Sequence, residues 1–97
     1  MAELNETIHQ PVRLQIMATL VTLEEANEVD FTYLRKLLGV TDGNLGAHLH
    51  KLEEARYIAI HKTFVERKPR TFVAATPLGR TVFHEHVAAL EAVLKRK

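Results

Sequence analysis

In the segment Leu38-Gly39-Val40-Thr41-Asp42-Gly43-Asn44-Leu45-Gly46-Ala47-His48-Leu49-His50-Lys51-Leu52, one helix stops and another starts within four residues. Gly39 suits the left-handed position that ends a helix. Thr41 suits the N-cap of the next one, and Asp42 then falls in the first turn, where the helix dipole favours a carboxylate. Leu45, Leu49 and Leu52 recur at helical spacing and predict an inward stripe on a helix that runs to about Ala55. With Leu49 facing the core, Gly43, Asn44, Ala47, His50, Lys51 and Glu54 face away. Gly46 points more toward the core, which suggests close packing on the preceding helix.

Upstream, Val29-Asp30-Phe31 reads as a short extended piece, and Thr32 as the cap of a helix from Tyr33 to Leu38. Before it, Pro11 suits the first position of a helix whose stripe is Val12, Ile16, Leu20 and Leu23. Leu4 and Ile8, four apart, predict a short helical arm ahead of Pro11. The acidic stretch over residues 24–30 reads as a loop.

Downstream, the period changes from helical to alternating. Ile58, Ile60, Lys62 and Phe64 alternate with Ala59, His61, Thr63 and Val65, as in a strand. Glu66-Arg67-Lys68-Pro69 reads as the tip of a hairpin, with a second strand from Arg70 to Ala75. Thr76-Pro77 then opens a last helix with a cap followed by proline. The predicted order is helix, short strand, helix, helix, strand, strand, helix. This is an α+β arrangement, mainly α: a three-helix core, a two-stranded hairpin and a long C-terminal helix, the layout of a winged helix-turn-helix. At 97 residues the chain is expected to be one domain over 1–97. Its parts are an arm (1–10), a helix-turn-helix (32–55), a wing (57–75) and a terminal helix (77–97).

The outward face of the helix over 41–55 is suited to a DNA groove. Gly43 and Ala47 allow close approach. Asn44 can pair bidentately with adenine, and His50 and Lys51 can reach base edges or phosphates. Thr41, with the free N–H groups at the helix start, can hold a phosphate. Arg67, Lys68 and Arg70 place three cations near the hairpin tip, for a minor groove or the phosphate backbone. Net charge is only +1, but it is segregated. Residues 1–30 hold Glu3, Glu6, Glu24, Glu25, Glu28 and Asp30 against Arg13, whereas residues 56–72 hold Arg56, Lys62, Arg67, Lys68 and Arg70 against Glu66. A basic segment in a near-neutral chain implies one face that meets an anion.

The last helix carries two apolar stripes. Phe83, Val87, Leu90 and Leu94 form one; Leu78, Val82, His86, Ala89 and Val93 form the other. A chain this small cannot cover both. The first stripe, with Leu4 and Ile8 from the arm, is therefore expected to form a homodimer interface.

Other chemistry finds little support. The chain has no cysteine, which excludes disulfides, thiolate catalysis and Cys-based zinc sites. Its six histidines include the pairs His48/His50 and His84/His86, each about 200° apart around a helix and unable to chelate one ion. Neither a metal nor a cofactor is expected. There is no Gly-rich phosphate loop and no nucleophile motif, so no enzyme is predicted. No signal peptide or membrane span is readable, and a cytoplasmic location is expected.

The chain also resembles small winged helix transcriptional regulators related to the MarR and ArsR families. The likeness is carried by Ile8 to Met17 at the start, by Val29 to Leu34, Leu38 to Leu45 and His48 to Glu53 at the helix-turn-helix, by Thr63-Phe64-Val65 through Lys68-Pro69-Arg70-Thr71 in the wing and by Thr76-Pro77-Leu78-Gly79-Arg80. It implies a homodimeric DNA-binding regulator, often a repressor, with a recognition helix over 41–51 that includes His48, and a wing at 67–70. The chain departs from the pattern at Gly46, where a polar residue is common, and at Arg56, where glycine is common.

Three readings stay open on sequence alone. One is a dimeric, sequence-specific regulator on double-stranded DNA. Another is a winged helix protein-interaction module that does not read DNA, because fold does not fix function. The third is a metal- or ligand-responsive regulator, with room for an unidentified small-molecule effector only at the dimer interface or between the last helix and the core.

Overall fold

The computed structural model describes residues 4–24 and 27–96. A one-turn helix, α1 (Glu6–His9), leads into α2 (Pro11–Val21). The two-residue strand β1 (Val29–Asp30) is followed by α3 (Phe31–Leu38), α4 (Asp42–Glu54), β2 (Ile58–Val65), β3 (Lys68–Ala75) and α5 (Pro77–Lys95). Residues 25 and 26 of the acidic stretch lie outside the described residues. The order of elements is the one predicted, and among the described residues five helices with one small sheet make the fold mainly α.

The sheet is antiparallel, ordered β1-β3-β2, so the short strand closes the base of the hairpin. Val29 pairs with Val73, and Ile58 with Ala75. Ile16, Met17 and Leu20 of α2, Leu34 of α3, Leu45, Leu49 and Leu52 of α4, and Ile58 and Val73 of the sheet meet in one buried cluster. The stripes of α2 and α4 therefore find cover from different elements, and the burial of the α4 leucines sets that helix's rotation.

Three local readings are corrected. The cap of α3 is Asp30, not Thr32: its Oδ1 accepts the N–H of Thr32 at 2.8 Å and of Tyr33 at 3.2 Å, and the helix begins at Phe31. Asp30 is at once the end of a strand and a cap, because a short side chain on extended backbone reaches the first free N–H groups. The hairpin tip is two residues long, not four. Glu66 (φ 51°) and Arg67 (φ 67°) both take left-handed backbone, the geometry whose twist matches a right-twisted ribbon. Lys68 and Pro69 thereby enter β3, with Pro69 beyond the reach of β1, where the strand has an open edge that accommodates a missing N–H. Gly46, finally, is not a packing glycine: a Cβ built there meets nothing within 4 Å.

Two backbone positions hold the hairpin to its flanking helices. Arg56 (φ 66°) occupies the left-handed position after α4, and Tyr57 N–H bonds to the carbonyl of Leu52 at 3.0 Å, closing a Schellman-type end without glycine. Gly79 in the first turn of α5 lies against the backbone of Tyr57 so closely that an added Cβ would fall 2.0 Å from its carbonyl oxygen. Thr76 caps α5 through the N–H of Gly79 and donates its hydroxyl to the carbonyl of Arg56 at 2.7 Å.

Candidate nucleic-acid interface

The helix-turn-helix is closed by three local devices. Gly39 (φ 67°, ψ 36°) ends α3, with its N–H on the carbonyl of Arg35 at 2.9 Å. Thr41 Oγ1 accepts the N–H of Asn44 at 3.0 Å, as an N-cap. Arg35 Nε then reaches Asp42 Oδ1 at 2.8 Å, which joins α3 to the first turn of α4. Both Thr41 and Asp42 are thus partly engaged in the turn. The Thr41 hydroxyl still has its hydrogen to donate.

With the three leucines buried, Thr41, Asp42, Gly43, Asn44, Ala47, His50 and Lys51 all lie on exposed surface. His50 is 3.5 Å from Glu54, one turn on. His48 stands apart from this face: it is half-buried against α2, where Arg13 Nη1 lies 3.3 Å from its Nδ1. Burial, and then the Arg13 charge, hold the His48 imidazole below its ordinary pKa. The bond favours a neutral ring whose Nδ1 accepts.

On the wing, Arg67 and Lys68 are exposed and, among the described residues, take part in no ion pair. Arg70 is different. Its Nε donates to Asp30 Oδ2 at 2.7 Å, so the residue is a strut between wing and α3 as well as a surface cation. Burial raises the Asp30 pKa, but the bonds from Arg70, Tyr33 and Thr32 and the Arg70 charge outweigh it, and the carboxyl is held below its ordinary range.

Between α4 and the wing lies an open groove of about 330 Å³, lined by Phe31, Gly46, Leu49, His50, Glu53, Ile60, Lys62 and Thr71. Gly46 opens this groove rather than closing a helix contact. Lys62, a member of the basic segment and of the first wing strand, lines this groove as well. Its place was readable from strand parity, since Ile58, Ile60, Lys62 and Phe64 share one face and the first of them is buried.

The residues expected at a dimer interface separate. Leu94 is 82 % exposed and Leu4 37 %, whereas Phe83, Val87 and Leu90 are half-buried, Phe83 against the chain's own core. Ile8 has no exposed surface and belongs to that core, so in this arrangement it has nothing to offer a partner. The reason is the fold of the arm. Asn5 caps α1, its backbone N–H donates to His86 Nδ1 at 3.0 Å, and its Nδ2 donates to the Tyr57 hydroxyl at 3.0 Å. His86 is itself buried, with its Nε2 3.4 Å from His9 Nδ1. Nothing in the sequence pairs residues 9 and 86. Among the described residues, no three potential metal ligands gather at one point, and no helix is long and apolar enough to cross a membrane.

Known proteins share this arrangement. Residues 12–94 match a family model described as a winged helix DNA-binding domain. An uncharacterized protein of Methanocaldococcus jannaschii is 37% identical over 76 residues, which span 78% of this chain and 79% of that protein. Among solved structures, a transcriptional regulator homologue from Pyrococcus horikoshii OT3 superposes with a TM-score of 0.84 at 31% identity, covering 93% of this chain and 86% of that one. The transcriptional repressor BigR from Xylella fastidiosa superposes with a TM-score of 0.67 at 19% identity, over 95% and 83% of the two chains, and shares the fold. On the extent of the family match, the architecture and the level of identity, the chain belongs to the winged helix DNA-binding domain family.

Proposed function

We propose that this protein is a homodimeric transcriptional regulator that reads double-stranded DNA by sequence and acts in the cytoplasm as a repressor. The observation that carries the reading is the outer face of α4. Three buried leucines fix its direction, and it presents Gly43, Asn44 and Ala47 beside His50 and Lys51, with the wing cations on the same molecule. In this role Gly43 and Ala47 let the helix into the major groove, Asn44 pairs with an adenine edge, and His50 and Lys51 extend the readout. The Thr41 hydroxyl and the first N–H groups of α4 hold a phosphate, with Asp42 positioned by Arg35. His48, braced by Arg13, steadies the helix at the edge of the contact. Arg67 and Lys68 follow the minor groove or the phosphates, and Arg70 sets the wing's angle. Occupying a site is enough to block transcription, so repression requires no further surface.

The dimer reading rests on apolar surface that the chain leaves uncovered. Leu94 (82 % exposed) and Val93 (45 %) end α5, with Leu4 exposed on the arm. Together with Leu90, Val87 and the free edge of Phe83, this surface suits the same surface of a second copy about a two-fold axis.

Selection of bound duplexes from a random DNA pool tests both parts. The expected product is a palindrome with half-sites centred about 10 base pairs apart. Enrichment of a single half-site would contradict the dimer. Failure to enrich any duplex at low salt would contradict DNA reading and favour a protein-interaction role.

A further inference from the structure

Phe64 is the most exposed aromatic side chain on the wing, at 72 %. It packs into no core, and around it Lys62, Arg67 and Lys68 outnumber the one acid, Glu66, with Thr63, Val65 and Pro69 adjoining. It pairs in register with Pro69, two steps beyond the Lys62–Thr71 pair, and Val65, Glu66, Arg67 and Lys68 complete the tip. Strand parity places Phe64 on the wing face that carries Ile58, Ile60 and Lys62, the face turned toward α4. From Lys62, at the groove wall, it lies about 6–7 Å farther out along the strand. On the proposed DNA-binding reading, with α4 in a major groove, this face meets the adjoining minor groove and Arg67 and Lys68 lie beside the phosphates.

We propose that Phe64 is an apolar wedge that sits in the minor groove flanking the site read by α4 and selects a deformable base step there. The inference rests on the DNA-binding reading of α4 and the wing. Its chemistry is specific to a duplex. A phenyl ring offers no hydrogen bond to a base edge, but it fills the space opened when a step partly unstacks, as apolar side chains do in minor-groove binders. Pyrimidine–purine steps, TA and CA/TG, unstack most readily, so the ring reads deformability rather than base identity. The cations around it supply charge complementarity to the backbone. The small two-residue turn, with both Glu66 and Arg67 in left-handed backbone, keeps the tip narrow.

The test uses the full chain and a duplex library whose core is the sequence selected by wild type, with the flanking positions randomised. Wild type is expected to enrich TA or CA/TG steps at one fixed flanking position by about fivefold or more, an effect on the scale of a single unfavourable base step. Phe64→Ala is expected to retain the core preference and the salt dependence while losing the flanking enrichment; Phe64→Leu, which keeps an apolar wedge, is expected to retain it. A 2-aminopurine placed at that step should brighten on binding wild type and not on binding Phe64→Ala. The thermal midpoint of each variant serves as the check on folding, and the exposed position predicts no loss. Flanking enrichment by Phe64→Ala equal to wild type, or no enrichment by wild type, overturns the wedge and leaves the recognition helix standing. Wild type binding no duplex at all overturns both.

Discussion

Arg70 donates its Nε–H to Asp30 across 2.7 Å, and the other oxygen of that carboxylate caps α3. One side chain therefore fixes the wing against the helix-turn-helix. Asp30→Ala removes both functions and is expected to lower stability by about 1–2 kcal/mol, the range for loss of a cap. Asp30→Ser keeps a capping oxygen and loses the strut, so it should restore most of the stability but not full DNA affinity. Urea unfolding and anisotropy titration on the same two variants separate the roles. Equal loss from both variants in unfolding would show that the cap is not what Asp30 contributes.

The same carboxyl has a pH signature. Its pKa is lowered in the folded chain, so the stability it confers is complete above the ordinary value of 3.8 and is lost as pH falls through the folded value. Acid unfolding of Asp30→Ser should consequently show a shallower fall below pH 3.8 than wild type.

Histidine 86 predicts a second, separate acid response nearer neutrality. Burial, and then the nearby His9, hold its imidazole below the ordinary 6.5. With Nδ1 accepting from Asn5, the neutral ring carries its hydrogen on Nε2, toward His9. The unfolded chain takes up the proton first, so stability is full above pH 6.5 and falls as pH drops from 6.5 toward the folded value. His48 acts in the same direction, held down by burial and by Arg13. Each group adds at most about 1.4 kcal/mol per pH unit within its window. Thermal midpoints between pH 7.5 and 5 should fall for wild type and fall less for His86→Gln; identical curves would contradict the assignment.

The glycines divide by what surrounds them. Gly79→Ala forces a Cβ onto the Tyr57 carbonyl and should destabilise by more than about 3 kcal/mol, as overpacking against rigid backbone does at its severe end. Gly43→Ala and Gly46→Ala meet open space and should each stabilise by about 0.5–1 kcal/mol through helix propensity. Gly43→Ala should nonetheless weaken DNA binding, because its added methyl lies on the exposed α4 face proposed to enter the groove. Unfolding and binding then move in opposite directions. At Arg56 the left-handed backbone favours glycine, and Arg56→Gly is expected to stabilise by about 0.5–1 kcal/mol.

What could be read in advance was local. The stop at Gly39, the cap at Thr41, the three leucines and the Thr76-Pro77 start are each decided within a turn or two of chain, and each falls where the sequence predicts. Long-range pairings were not legible. Arg70 on Asp30, His86 on His9 and Asn5 on Tyr57 join residues 40, 77 and 52 positions apart, and no periodicity encodes them. The burial of Ile8 has no local sign for the same reason, since it comes from the packing of the arm on α2, α4 and α5. The two-residue turn was hidden because Pro69 reads as a breaker until the strand order gives it an open edge. Phe64 and Lys62 needed only strand parity carried through to the tip.

On the proposed function α4 and the wing together grip duplex DNA, and the affinity of wild type and of Arg67→Ala/Lys68→Ala for one selected duplex as a function of salt measures that grip. Wild type should show a linear fall of log affinity with log salt concentration, and the double variant a slope shallower by about 1.8, close to 0.9 for each phosphate contact removed. An unchanged slope, or no binding by wild type even at low salt, would contradict the account.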